Sequence, residues 1–113
     1  MGNPVVHFEV AGPDAAAIQD FYANLFDWKI DADNPMNYGM VDTGEGIGGG
    51  VGPTPDGQPH LTWYVQVDDP QRYLELAEQR GGKTVMPVME IPDGPTIAQF
   101  SDPAGNVVGL IKG

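Results

Sequence analysis

Residues 6–30 read VHFEVAGPDAAAIQDFYANLFDWKI, and the hydrophobic period changes twice within them. Val6, Phe8 and Val10 alternate with His7 and Glu9, the period of two that marks a strand with unlike faces. Asp14 is a good helix N-cap, and Ala15, Ile18, Phe21, Tyr22 and Leu25 then recur at helical spacing. Trp28-Lys29-Ile30 returns to an extended pattern. The order is strand, helix, strand.

The same order occurs again downstream. Leu61, Trp63, Val65 and Val67 alternate with Thr62, Tyr64 and Gln66, Asp69 caps a helix with Pro70 at its first position, and Gly81-Gly82 ends it. A shift of 55 positions, 69 minus 14, carries Asp14 onto Asp69 and also places Val6 on Leu61, Phe8 on Trp63, Val10 on Val65 and Ile30 on Val85. The chain is therefore a doubled module. Each half has two more extended segments, 38–42 and 46–51 in the first and 96–101 and 107–112 in the second, the last two joined by the turn Asp102-Pro103-Ala104-Gly105-Asn106. The predicted fold is α+β, two βαβββ modules in one domain spanning 1–113: module one 1–52, linker 53–59, module two 60–113.

Between the halves stands GEGIGGGVGPTPDG, residues 44–57, which contains G-x-G-x-x-G at Gly44, Gly46 and Gly49. That pattern cradles phosphates only when a helix opens from it. Here Pro53-Thr54-Pro55-Asp56-Gly57 follows, which cannot begin a regular helix. The stretch reads instead as the last strand of the first module running into the linker. Its glycines either bend the strand or let backbone amides line a pocket wall.

Sixteen acidic residues against five basic ones give a net charge of −11, which repels polyanions and anionic membrane surfaces and favours solubility or the capture of cations. Neither nucleic acid nor membrane is an expected partner. The absence of cysteine excludes disulfides, thiolate nucleophiles and Cys-ligated metals. No apolar run has the length of a membrane span, and the opening MGNPVVHFEV lacks a basic leader region, so a cytoplasmic location is expected.

With the repeat established, HFEVAGPDAAAIQDFYANLFDWKI resembles the opening module of the vicinal oxygen chelate superfamily, the glyoxalase, bleomycin-resistance and extradiol-dioxygenase group. The resemblance lies in His7, Asp14, Phe21-Tyr22 and the Leu25-Phe26-Asp27-Trp28 ending. It continues in the Val67-Asp68-Asp69 helix entry, Gly81-Gly82 and the Asp102-Pro103-Ala104-Gly105-Asn106 turn. It implies sheets curled around a shared cavity, a homodimer, and four inward metal-ligand positions. His7 matches the first of these. The others fall near Ile47 to Gly49, on Thr62, and on Gly109 where the metalloenzymes carry Glu. One position in four keeps a ligand, so no metal or other cofactor is expected, and His60 or Glu9 would have to rebuild the site for a divalent ion to bind.

If Val6, Phe8, Val10, Leu61, Trp63, Val65 and Val67 pack under the helices, then His7, Glu9, Thr62, Tyr64 and Gln66 face the cavity. His7, Glu9, Thr62, Tyr64, Gln66 and Gly109 are the candidate ligand-binding residues. His7, Glu9 and Tyr64 are the candidate catalytic ones, His7 with Glu9 as an acid–base pair and Tyr64 as a hydrogen-bond donor. Two functions fit: a small-molecule binder that sequesters a cationic or aromatic compound, or a lyase or isomerase, metal-dependent or relying on the His7/Glu9 pair.

Overall fold

The computed structural model describes residues 2–54 and 56–113; Met1, and Pro55 of the expected linker, lie outside the described residues. Its elements in chain order are β1 (Val5–Gly12), α1 (Ala15–Phe26), β2 (Lys29–Asp31), β3 (Gly39–Asp42), β4 (Gly48–Pro53), β5 (His60–Val67), α2 (Pro70–Gln79), β6 (Lys83–Glu90), β7 (Thr96–Ser101) and β8 (Val107–Lys112). This is the α+β, twice-βαβββ order read from the sequence. Among the described residues no helix is long and apolar enough to cross a membrane.

Contacts divide the chain into two compact units, His7–Thr62 and a second made of Trp63–Gly113 with the segment ending at Val6. In the first, the strand order is β2-β3-β4-β1, with β4 parallel to β1 and antiparallel to β3. The Asp14 carboxylate accepts from the Ala17 amide to cap α1, and Asp27 ends the helix in the left-handed region at φ 58, where a short polar side chain is tolerated. Gln19 is buried at 8% exposure, and its Nε2 donates to the carbonyls of Asn37 and Val51 at 3.1 and 2.8 Å. A buried amide is tolerated only when so paired, and here it ties α1 to β4 and to the approach to β3.

The second unit repeats the plan in the order β5-β8-β7-β6, with β8 parallel to β5. Asp69 caps α2 by accepting from the Arg72 amide, Pro70 opens the helix, and the Gly82 amide returns to the Ala77 carbonyl. Val67, Leu74, Ala98 and Leu110 form the core beneath α2, with Val65, Tyr73, Val88 and Phe100 packed around them. The Asp102 carboxylate holds the β7–β8 turn by accepting from the amides of Ala104 and Asn106 and from the Asn106 side chain; those bonds hold it below the usual carboxylate range. β6 is longer than β2 and carries two register irregularities against β7, so the offset between the halves grows from 55 at the first strands to 59 (109 minus 50) at the last.

Alternation misplaces several side chains. Leu61 and Trp63, expected beneath the helices, are 73% and 54% exposed, and on α1 Phe21 and Leu25 are 58% and 57% exposed. Val51 and Val41 with the small Ala11 and Ala15 and the amide of Gln19 are what lie buried in that unit. Gln66, expected to face inward, is exposed and lies against Gly113.

Leu74→Ala should lower the stability of the chain by about 2–5 kcal/mol, because the core around it is too tightly packed to collapse onto the lost volume. Urea unfolding checks this, and a loss under about 1 kcal/mol would place the core elsewhere.

Candidate functional site

The glycine-rich strand β4 lies beside β1 with His7 opposite Gly48, Phe8 opposite Gly49 and Glu9 opposite Gly50. What these glycines make room for is aromatic. A Cβ at Gly49 would overlap the Phe8 ring, and one at Gly50 or Gly52 would overlap the ring of Tyr38. Neither phosphate binding nor left-handed backbone accounts for residues 49, 50 and 52; two rings lying on the strand do.

Tyr38 is set in place by its own loop. The Asn34 side chain accepts from the Tyr38 amide at 3.0 Å and donates to the Tyr38 carbonyl at 2.7 Å, fixing the backbone just before β3. From there the hydroxyl donates to Glu9 Oε2 at 3.2 Å and lies 2.9 Å from His7 Nε2. A phenol has one proton, so with that proton on the Glu9 side it is His7 that donates, from Nε2, to the Tyr38 oxygen. The second Glu9 oxygen, Oε1, accepts from His60 Nε2 at 3.3 Å. Both histidines of the chain, one carboxylate and one phenol thus form a continuous row within the first unit, His7–Tyr38–Glu9–His60. The Glu9 side chain is 17% exposed and that of His60 is 40% exposed, so the row runs from a half-buried end to solvent.

Burial lowers the His7 pKa from its ordinary value of 6.5, opposed by the nearby charge of Glu9. His7 is therefore a neutral imidazole at pH 7, consistent with its role as a donor to a phenol.

Tyr64 belongs to the second unit. It pairs with Gly109 across β5 and β8, and its own ring covers that glycine, where a Cβ would collide with it. Its hydroxyl accepts from Gln99 Nε2 at 3.0 Å, and the residue is buried at 4% exposure. Thr62 is half-buried on β5. Since Glu9 pairs with Gly50 as Tyr64 pairs with Gly109, the position in module one equivalent to Gly109 is Gly50, rather than one of the residues Ile47 to Gly49.

These residues do not fit the metal that the resemblance implies. Gly50 and Gly109 lack side chains and are covered by tyrosine rings, Thr62 stands in place of a third strong ligand, and the Nε2 of His7 is engaged by Tyr38. Among the described residues no three His, Asp or Glu side chains converge on a point.

The family profile described as the Glyoxalase/Bleomycin resistance protein/Dioxygenase superfamily matches residues 5–110. The chain belongs to that superfamily. It is 28% identical to the anthracycline biosynthesis protein DnrV of Streptomyces peucetius across 87% of its own length, and spans 42% of that relative. Methylmalonyl-CoA epimerase from Mycobacterium tuberculosis superposes with a TM-score of 0.67 at 12% identity, covering 96% of this chain and 86% of that one. A superfamily member from Vibrio splendidus gives 0.65 at 16% identity, covering 99% and 100%. At such identities the superpositions speak to the glyoxalase-like fold alone.

Sequence reasoning singled out His7 and Glu9 and missed what joins them. Tyr38 lies in an irregular stretch that no period addresses. The available signal was the neighbouring run of glycines, which shows that something bulky lies on β4 without naming it. The sequence offers His60 only as a substitute ligand; in the structure its Nε2 donates to Glu9 Oε1.

Burial depresses the His7 pKa when the chain folds. The folded value lies below the unfolded one, so as pH falls the unfolded chain takes up the proton first. The stability due to neutral His7 is present above 6.5 and is lost as pH falls through the folded midpoint. NMR titration of the imidazole should give His7 a midpoint below 6.5, and His7→Gln should flatten part of the stability loss on acidification. A midpoint at or above 6.5 would contradict the assigned environment.

Proposed function

We propose that the chain binds a small cationic, planar aromatic molecule without using the superfamily's metal set. The observation that carries this reading is Tyr38. Its ring lies on Gly50, a position where an inward ligand would be needed, and its hydroxyl holds the Glu9 carboxylate. A flat ring beside a carboxylate that is 17% exposed offers stacking and charge together. Partial shielding from water lets that charge act more strongly than the exposed carboxylates do. The overall charge of −11 adds a long-range field of the same sign. The anthracycline in the name of the DnrV relative supports a planar aromatic ligand.

A second reading, an acid–base lyase or isomerase, is favoured by one observation, the unbroken row from His7 through Tyr38 and Glu9 to His60. A carboxylate in contact with a phenol and an imidazole has partners for taking and returning a proton. Under that reading Glu9 is the base and His60 the group able to relay its proton.

Matched cationic and anionic planar aromatics, titrated by the fluorescence of Trp28 and Trp63 at two salt concentrations, separate the two. The cation should bind more tightly, and part of its advantage should fade at higher salt as exposed carboxylates are screened over about 10 Å at 0.1 M. Glu9→Gln should weaken cation binding about tenfold, or ~1.4 kcal/mol, while the exposed Glu78→Gln changes it less than about twofold. Equal binding, or preference for the anion, would favour the enzyme.

A further inference from the structure

Tyr73, Leu76, Ala77 and Arg80 are spaced by three and four positions along α2 and its C-cap, so they share one side of the helix. Val65 and Val67, two apart, share one face of β5. These two faces and Phe100 of β7 line an open cavity of about 350 Å³, built entirely from residues of the second unit. Its volume is within the range of about 300–1,000 Å³ typical of small-molecule sites. Val67 and Leu110 of the buried core also line it, so an apolar group placed there meets the core directly.

The polar residues of the cavity are Asn3, Tyr73 and Arg80, and none is acidic. At one end the Tyr73 hydroxyl is already engaged, accepting from Asn3 Nδ2 at 3.3 Å. Arg80 lies seven positions further on, about 10 Å along the helix. Its side chain is exposed, and a guanidinium keeps its charge and can only donate. Among the described residues that guanidinium makes no ion pair and no hydrogen bond. The groups near it that could accept are taken. Glu75 accepts from Gln71 at 3.0 Å and Glu78 from Thr84 at 2.6 Å, while the Ala77 and Glu78 carbonyls at the end of α2 accept the backbone amides of residues 80, 81 and 82. An unpaired cation beside an apolar cavity, in a chain with net charge −11, selects a ligand with an anionic head and an apolar body.

We propose that this cavity is a second ligand site, which takes a monocarboxylic acid whose carboxylate pairs with Arg80 while its apolar body lies against Val65, Leu76 and Phe100 and extends toward Tyr73. The proposal does not depend on the cation-binding reading, whose site lies in the first unit and whose ligand has the opposite charge, so either can fail alone.

The test uses the full chain and two probes of nearly equal size, octanoate and octanamide, of which only the first is charged. NMR titration should show octanoate shifting the resonances of Val65, Leu76 and Phe100 and binding about three- to fivefold more tightly than the amide, the share expected of one partly solvated ion pair. Arg80→Gln should remove that difference, and Ala77→Phe, which fills the cavity, should abolish binding of both probes. Equal affinity of the two probes for the unaltered chain, or tighter binding of the amide, would overturn the proposal. So would shifts confined to His7 and Tyr38, the absence of shifts with octanoate, or an octanoate preference that persists in the Arg80→Gln protein. The first comparison needs no variant, so a misfolded mutant cannot hide the outcome.

Discussion

Everything at the site depends on the contact between the Tyr38 ring and a strand without side chains. The hydroxyl of Tyr38 can reach both His7 and Glu9 only if the ring lies almost on the backbone of β4, and a Cβ at residue 50 would prevent that. Well-packed interiors give little room to such an overlap, since forcing even a small group into them costs about 1–3 kcal/mol. The glycine run and the tyrosine are therefore one feature. Asn34 completes it by holding the Tyr38 backbone from both its amide and its carbonyl.

The second unit reaches a related result by other means. Tyr64 stands on β5 where Glu9 stands on β1, and it covers the glycine paired with it, Gly109, using its own ring. In the first unit the residue opposite the glycine is a carboxylate and the ring comes from a loop. The doubled fold thus keeps glycine and tyrosine in contact twice, but only the first unit adds a carboxylate and two histidines to the pair. This asymmetry accounts for placing the proposed chemistry in the first unit.

Much of the architecture could be read from the chain. Both helices begin after the expected aspartates, because Asp14 and Asp69 each accept an amide three residues on, a local interaction that sequence spacing captures. The strands β1 and β5 span residues related by the same offset of 55. Burial was less legible. Period assigns Ala15, Phe21 and Leu25 to one face of α1; Ala15 is buried, but Phe21 and Leu25 are exposed, and the polar Gln19 lies inside because it finds two carbonyls that no sequence pattern announces. The site was legible in half: His7 and Glu9 share a strand face, which alternation shows, whereas Tyr38 arrives from a connection whose path is set by Asn34 and by space on another strand. His60 meets Glu9 across a separation of 51 residues, beyond what local spacing can express.

Tyrosine rings lie on Gly50 and Gly109, and we propose that the chain works without the superfamily's metal set. Elemental analysis of the protein purified without chelator tests it most directly. Divalent transition metal should stay far below one ion per chain, with no change on His7→Ala. A ratio near one that disappears in the His7→Ala protein would contradict it.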